Sequence, residues 1–188
     1  MFMFWKKRIT VFALGGAGCN FLADYKNNKI RIVALNSDLQ DLNTSSIREK
    51  FLVGKNCCHT LGCGGNISTS MKATEENKKE IKKIIKRASK IILLAGIGGG
   101  FGIGAAYTIS NLAQQLKVEC TLICTTPFSF EGKIYKEADN ILSNISAHIK
   151  NCYVIQNDSI AKANSNLSIT EILKLGNKEV VKKMEECV

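Results

Sequence analysis

The run IILLAGIGGGFGIGAAYTISNLAQQL, residues 91–116, carries no charged side chain and places six glycines among the nine positions from Gly96 to Gly104. Its length fits a membrane span, and it contains GxxxG spacings. The glycines argue against that reading, because each costs a helix interior about 1 kcal/mol relative to Ala. The run divides better into a buried strand (IILLA), a glycine loop (GIGGGFGIG) and a helix from Ala105 onward (AAYTISNLAQQL).

Working outward, apolar β-rich runs recur at residues 9–14, 30–35, 91–95, 120–125 and 152–155, with a shorter candidate at 51–53. Segments of helical period separate them. Strands alternating with helices imply a parallel sheet covered on both faces, so the expected class is α/β, a Rossmann-like three-layer fold. A long helix is expected over residues 68–88, with Ser68 and Thr69 as cap candidates and a buried stripe of Met71, Ile81, Ile84, Ile85 and Ala88. A final helix is expected from Ser168, where Ser168-Ile-Thr-Glu171 fits a capping box. With 188 residues the chain has the length of about one domain. The expected organisation is a tail at 1–8, one α/β domain at 9–167 and a helix at 168–188.

Composition closes off several functions. The formal net charge is +10, and residues 72–90 supply half of it with eight basic and three acidic side chains. Only four of the 26 basic residues are Arg, the residue best suited to bidentate reading of guanine or phosphate, so nucleic acid is not an expected partner. The eight cysteines follow no secretory leader, which points to free thiols in a reducing cytoplasm. Cys57, Cys58, His59 and Cys63 lack the paired CxxC spacing of zinc sites, and no metal ligand set is expected. Cys120 and Cys124 fall on one face of a strand as small hydrophobes. The opening MFMFWKKR offers weak grounds for contact with an anionic membrane surface.

Twelve of the fifteen glycines sit in three clusters: Gly15, Gly16 and Gly18; Gly62, Gly64 and Gly65; and Gly96 to Gly104. Each cluster follows a strand or precedes a helix, where backbone N–H groups converge on an anion and a missing Cβ lets phosphate oxygens approach. Neither Gly54-Lys55 nor Gly132-Lys133 belongs to a Walker loop. The first cluster, followed by Asn36-Ser-Asp38 some twenty residues on, fits the start of a dinucleotide-binding unit. Three separate loops suit one polyphosphate gripped from several sides better.

The order GGAGCN (residues 15–20), NSDLQ (36–40), LGCGGN (61–66), AGIGGGFGIGAA (95–106), TTPFSFEGK (125–133) and VIQND (154–158) resembles the nucleotide-binding half of FtsZ, the tubulin-like bacterial cell-division GTPase. The resemblance runs from Ile9 to the end of the chain. It implies GTP or GDP as the ligand, with Mg2+ able to accompany it. It places Gly16, Ala17, Gly18, Cys19 and Asn20 at the phosphates, and makes Gly98, Gly99, Gly100, Gly102 and Gly104 the tubulin-signature loop. Gly64, within residues 62–66, approaches the terminal phosphate; Glu131 meets the ribose and Asn157 the guanine.

The departures are specific. The usual GGGTGTG loop has Phe101 and Ile103 where relatives have threonines, which removes two hydroxyls and puts a bulky ring near the phosphates. An Arg of relatives is Tyr135 here, and in the last helix a stacking Phe and a guanine-reading Asp correspond to Leu173 and Asn177. The acidic residues that activate water lie, in FtsZ, beyond the last helix of this sequence. The resemblance therefore implies a divergent nucleotide-binding protein with weak or absent hydrolysis on its own and no catalytic residue in the chain. The alternative is a regulator that caps or modulates FtsZ filaments, or self-associates, through its nucleotide face.

Overall fold

The computed structural model describes residues 8–27, 29–131, 133–147, 149 and 151–188, and only the backbone of 133–138. Residues 1–7, with most of the MFMFWKKR tail, and Gly132 lie outside it. Six strands form one sheet in the order β3-β2-β1-β4-β5-β6: β1 (Arg8–Leu14), β2 (Arg31–Asn36), β3 (Glu49–Leu52), β4 (Ala88–Gly96), β5 (Glu119–Thr125) and β6 (Asn151–Ile155). Every pairing is parallel. Parallel strands need covered crossovers, so the central ones are apolar on both faces. In β1, Phe12 and Leu14 face one side while Val11 and Ala13 face the other, all fully buried.

Two helical layers supply the cover. One holds α3 (Lys55–Cys58), α4 (Ile67–Glu76), α5 (Lys78–Lys86), α6 (Phe101–Gln115) and α7 (Lys133–Ser146), packed on Phe12, Leu14, Val33, Leu35, Leu93 and Leu122. The other holds α1 (Gly15–Phe21), α2 (Leu39–Thr44) and α9 (Ile169–Glu186), packed on Val11, Ala13, Ala34, Ile92 and Ile123. The short α8 (Asn157–Ala163) links β6 to α9. In α9 the stripe Ile172, Gly176, Val180 and Met184 recurs every four residues and is buried, so the last helix is a structural part of the sheet's cover.

The uncharged run is uncharged because α6 lies almost wholly inside, with eleven of its fifteen residues buried. No helix among the described residues is long and apolar enough to cross a membrane. Cys120, Leu122 and Cys124 share one buried face, as alternation requires, and all eight cysteines are free thiols.

Several boundaries differ from expectation. The helix expected over 68–88 is two helices: Asn77 interrupts it, and the Asn77 side-chain oxygen accepts a 3.0 Å bond from the Gly54 amide. The cap is Asn66, whose side chain accepts from Thr69 N at 2.9 Å, ahead of the expected Ser68 and Thr69. Ala88 opens β4 and does not extend the helical stripe. Helix α6 begins at Phe101, four residues before Ala105, and Arg8 belongs to β1.

The capping box of α9 is present, with Glu171 N donating to Ser168 Oγ at 3.3 Å and Ser168 N donating to Glu171 at 2.8 Å. The Ser168 hydroxyl and amide hold the Glu171 carboxyl below its usual range. A depressed pKa contributes stability above the unfolded value and loses it as pH falls through the folded one. Ser168→Ala is therefore expected to cost about 1 kcal/mol in urea unfolding at neutral pH, and less once pH drops below the carboxylate range.

Candidate nucleotide site

The chain runs β1 to β2 to β3 in one direction and β4 to β5 to β6 in the other, so β1 and β4 are neighbours with crossovers that diverge. Between their C-terminal ends lies the crevice where open α/β sheets bind ligands. The first glycine cluster leaves β1 and the third leaves β4, so both open into that crevice.

The clusters touch one another. A Cβ built on Gly15 lies 3.3 Å from the Phe101 ring, and one on Gly96 lies 2.6 Å from the Ala17 Cβ, which joins the first cluster to the third. A Cβ on Gly100 falls 2.4 Å from the Gly65 backbone, joining the third to the second. The third segment thus touches both of the others, bringing the three segments expected to hold one anion to one place.

The first cluster is helix from Gly15 onward, not a loop that leads into one. In a helix only the first amides lack intrahelical acceptors. Gly15, Gly16 and Ala17 occupy those positions, while Gly18, Cys19 and Asn20 lie a turn deeper. Cys19 is buried, and burial pushes its thiol pKa up. The Asn20 side chain is exposed.

In the third cluster the chain turns tightly at Gly100, with φ +73° and ψ −51°, and the Phe101 amide donates to Gly99 O at 2.8 Å. That conformation is open to Gly and strained for other residues. Gly98 and Gly99 stay partly or fully exposed before it. Gly102 and Gly104 prove to be helical packing sites: a Cβ on Gly104 would stand 2.7 Å from Ile67 O and from Ser70. The Ser70 hydroxyl donates to Phe101 O at 2.7 Å, locking α4 to the start of α6.

The ring expected near the phosphates is elsewhere. Phe101 is 6% exposed and Ile103 fully buried, both in the core beneath the sheet's C-terminal edge. The first turn of α6 therefore offers main chain and no hydroxyl, with the Phe101 and Ile103 side chains buried in the core. Gly64 lies in an open loop with nothing within 4 Å of its Cβ direction.

Further along the same edge, Thr126 N donates to Ile155 O at 3.0 Å and Ile97 N to Thr125 O at 3.0 Å, tying the ends of β4, β5 and β6 together. Here Glu131 closes a one-turn 3-10 helix (Ser129–Glu131), accepting from Phe128 N at 2.7 Å. Asp158 accepts from Ser129 N at 3.1 Å and holds that turn against α8. Asn157 is 5% exposed; its Nδ2 donates to Thr126 O at 2.7 Å and its Oδ1 has no partner among the described residues. Gly176 of α9 sits over it, a Cβ there lying 3.3 Å from Asn157 Oδ1. Asn177 is half-buried one residue on, whereas Leu173 is 43% exposed. Tyr135 lies among residues described only by backbone.

Asn36 ends β2 on this edge and was not singled out as a site residue. Its Oδ1 accepts from the amides of Ser37 and Asp38 at 2.8 and 3.2 Å, and its buried Nδ2 is unpaired among the described residues. The available signal was its place in NSDLQ, at the end of the second strand. Among the described residues no group of three or more His, Cys, Asp or Glu side chains is arranged to hold a metal ion. Cys58 and Cys63 approach to 3.4 Å between sulfurs, and Cys63 lies 3.1 Å from Ser37 Oγ, which fills the space under the second glycine loop with thiols.

Comparison with known proteins agrees with this fold. A profile of the Tubulin/FtsZ family GTPase domain matches residues 8–165. Cell division protein FtsZ 1 of Thermococcus kodakarensis is 31% identical over 178 residues, covering 93% of this chain and 48% of the relative. FtsZ 1 of Methanocaldococcus jannaschii is 30% identical and is covered to 50% of its length. The chain thus spans about half the length of these curated relatives. The solved FtsZ dimer of M. jannaschii, described as empty, superimposes with a TM-score of 0.87 at 28% identity, over 95% of this chain and 53% of that one. By sequence and by fold, this chain belongs to the Tubulin/FtsZ family, residues 8–165 matching that family's GTPase domain.

Proposed function

We propose that the chain binds GTP or GDP along the C-terminal edge of its sheet. The phosphates would meet the first-turn amides of Gly16 and Ala17, with Gly18, Cys19 and Asn20 continuing that helix behind them, and would also meet Gly64, Gly98, Gly99 and Gly100, while Gly102 and Gly104 let α6 pack close beneath. The ribose would meet Glu131 and the base Asn157. The observation that carries this reading is the contact of the third glycine segment with both the first and the second at the β1/β4 crevice. The positive end of α6, fifteen residues long, adds attraction for an anion there.

Hydrolysis by this stretch is expected to be slow. Phosphoryl transfer rests on positioned donors and charge stabilisation, and the first turn of α6 presents Phe101 and Ile103, both turned inward, where hydroxyls would help hold water or metal. The residues do not fit a protein-built Mg2+ cage; such an ion would ride on the phosphates and its own waters.

Calorimetry with GTP, GDP, XTP and ATP tests the proposal. Binding of GTP and GDP at micromolar to millimolar concentration is expected, with ATP weaker. No heat with either guanine nucleotide at millimolar concentration would sink it.

A second reading, capping or modulation of an FtsZ filament or self-association through this same edge, is favoured by Leu61 and Phe130. These side chains are 81% and 71% exposed, and the Phe130 ring stacks on Phe128 at 5.0 Å. Unchanged sedimentation and GTP turnover of an FtsZ on substoichiometric addition would remove it.

A further inference from the structure

Three thiols stand in a row beneath the second glycine loop. Cys57 and Cys58 end α3, and Cys63 lies in the loop itself. Cys57 Sγ is 3.7 Å from Cys58 Sγ, which is 3.4 Å from Cys63 Sγ, and Cys63 Sγ is 3.1 Å from Ser37 Oγ. Cys57 is exposed while Cys58 and Cys63 are buried, so the row runs from solvent inward. As no metal-holding group exists among the described residues, what these thiols can do is redox chemistry.

The fold imposes this closeness. Between Cys58 and Cys63, His59 and Thr60 take φ of +50° and +67°, a left-handed conformation that is uncommon outside glycine and an outlier for a β-branched residue. Such strain persists only where the surroundings over-determine it. Here Leu61 N donates to Cys58 O and Leu39 N to Thr60 O, both at 2.9 Å, Gly62 N donates to Ser37 O at 3.2 Å, and Asn66 N donates to Cys63 O at 3.0 Å. These bonds turn the chain back on itself and set the two buried sulfurs against each other. Bonding them asks for an approach of little more than about 1 Å. The next residue, Gly64, has nothing within 4 Å of its Cβ direction, so the loop has room to follow.

We infer that Cys57, Cys58 and Cys63 form an oxidative modification site: the exposed Cys57 accepts oxidation from a small disulfide, glutathione disulfide, and passes it inward to a Cys58–Cys63 disulfide that ties α3 to the second glycine loop. The Cys57 thiolate attacks one sulfur of glutathione disulfide and expels a glutathione thiolate. The Cys58 thiolate then attacks Cys57 Sγ and expels the second glutathione thiolate. Cys63 attacks Cys58 Sγ, and Cys57 leaves as a thiolate and regains a proton. The protons of Cys58 and Cys63 end on the two glutathiones, so one small disulfide is reduced as one protein disulfide forms. The bond between sequence neighbours is the strained member of the series, which favours handing it on to Cys63. Desolvation, with Cys58 and Glu76 adding to it, pushes the Cys57 thiol up to about 11, so exchange at neutral pH is slow. A bond that closes so short a loop restrains the unfolded chain little, which keeps it reducible. The site lies outside the segments assigned to base and ribose, and bond formation does not depend on nucleotide binding.

The test incubates the full chain with glutathione disulfide at about pH 8.5, where the thiolate share is larger, blocks the remaining thiols and maps the peptides by mass spectrometry. A Cys58–Cys63 bond with Cys57 recovered as a free thiol is the expected end product, and excess reduced glutathione should reverse it. Cys57→Ser is expected to form that bond at least about 10-fold more slowly. Its circular dichroism should match the parent, because Cys57 is exposed. Cys63→Ser should stop one step short, with the oxidation held at Cys57 as the glutathione adduct or as its bond to Cys58. The parent chain's peptide map stands by itself if a variant folds poorly. Cys57 left unmodified, a glutathione adduct on Cys57 that never yields the Cys58–Cys63 bond, or formation of that bond at the parent rate in Cys57→Ser overturns the inference.

Discussion

Gly100→Ala is expected to abolish measurable binding of guanine nucleotides, lowering affinity by about 100-fold or more, and to destabilise the fold by about 2–4 kcal/mol. Two independent terms act at this residue. Its φ of +73° is a conformation L side chains rarely adopt, and the added Cβ would stand 2.4 Å from the Gly65 carbonyl carbon and oxygen. Backbone on both sides leaves no flexible side chain to yield. Relief requires the second glycine loop to move off α6, which separates two of the three segments that would share the phosphates. Several charge-assisted bonds are then lost together, each worth about 1.5–3 kcal/mol. Gly99→Ala is the control: nothing lies within 4 Å of its Cβ direction and its φ is not positive. It is expected to keep its stability within about 0.5 kcal/mol. Thermal unfolding and calorimetry on both variants decide the matter, and wild-type affinity in Gly100→Ala would refute the convergence of loops as the binding principle.

What the sequence disclosed and what it hid follow from the same physics. Strands such as β1 and β4 are legible because burial on both faces demands continuous apolar runs. The capping box at Ser168 is legible because it is local. The break at Asn77 is not, since it depends on Gly54, which lies 23 residues away. The early start of α6 is hidden for a related reason. Glycine costs a helix propensity, so GFGIG reads as loop, but Gly102 and Gly104 are there to let α6 close on Gly96 and α4. Phe101 illustrates the limit at the site itself. Its place in the glycine run suggested a ring among the phosphates, yet only tertiary packing could show that the ring turns under Gly15. Asn36 is legible as the head of NSDLQ, but an unpaired buried donor there is visible only once its surroundings are known.

The base end of the site yields a sharper discrimination. Asn157 makes one of its polar groups useful to the fold and leaves the other idle. The Thr126 carbonyl can only accept, so the amide nitrogen must face it, and Oδ1 is left buried without a donor beside Gly176. An idle buried acceptor is a cost to the free protein, and a ligand N–H that reaches it recovers that cost on binding. Asn157→Ala removes both groups. In the free protein the lost Thr126 bond and the relieved Oδ1 oppose each other, so unfolding free energy is expected to fall by only about 1 kcal/mol. In the guanine complex no such relief operates, and GDP affinity is expected to drop by about 10- to 100-fold. ATP, whose base edge lacks guanine's N1–H and 2-amino donors, should lose little by comparison. A residue that served the fold alone would move thermal stability and leave the GDP to ATP ratio untouched. Calorimetry with both nucleotides on Asn157→Ala separates the two, since an unchanged ratio removes Asn157 from base recognition while a collapsed one places the guanine against the ends of β5 and β6.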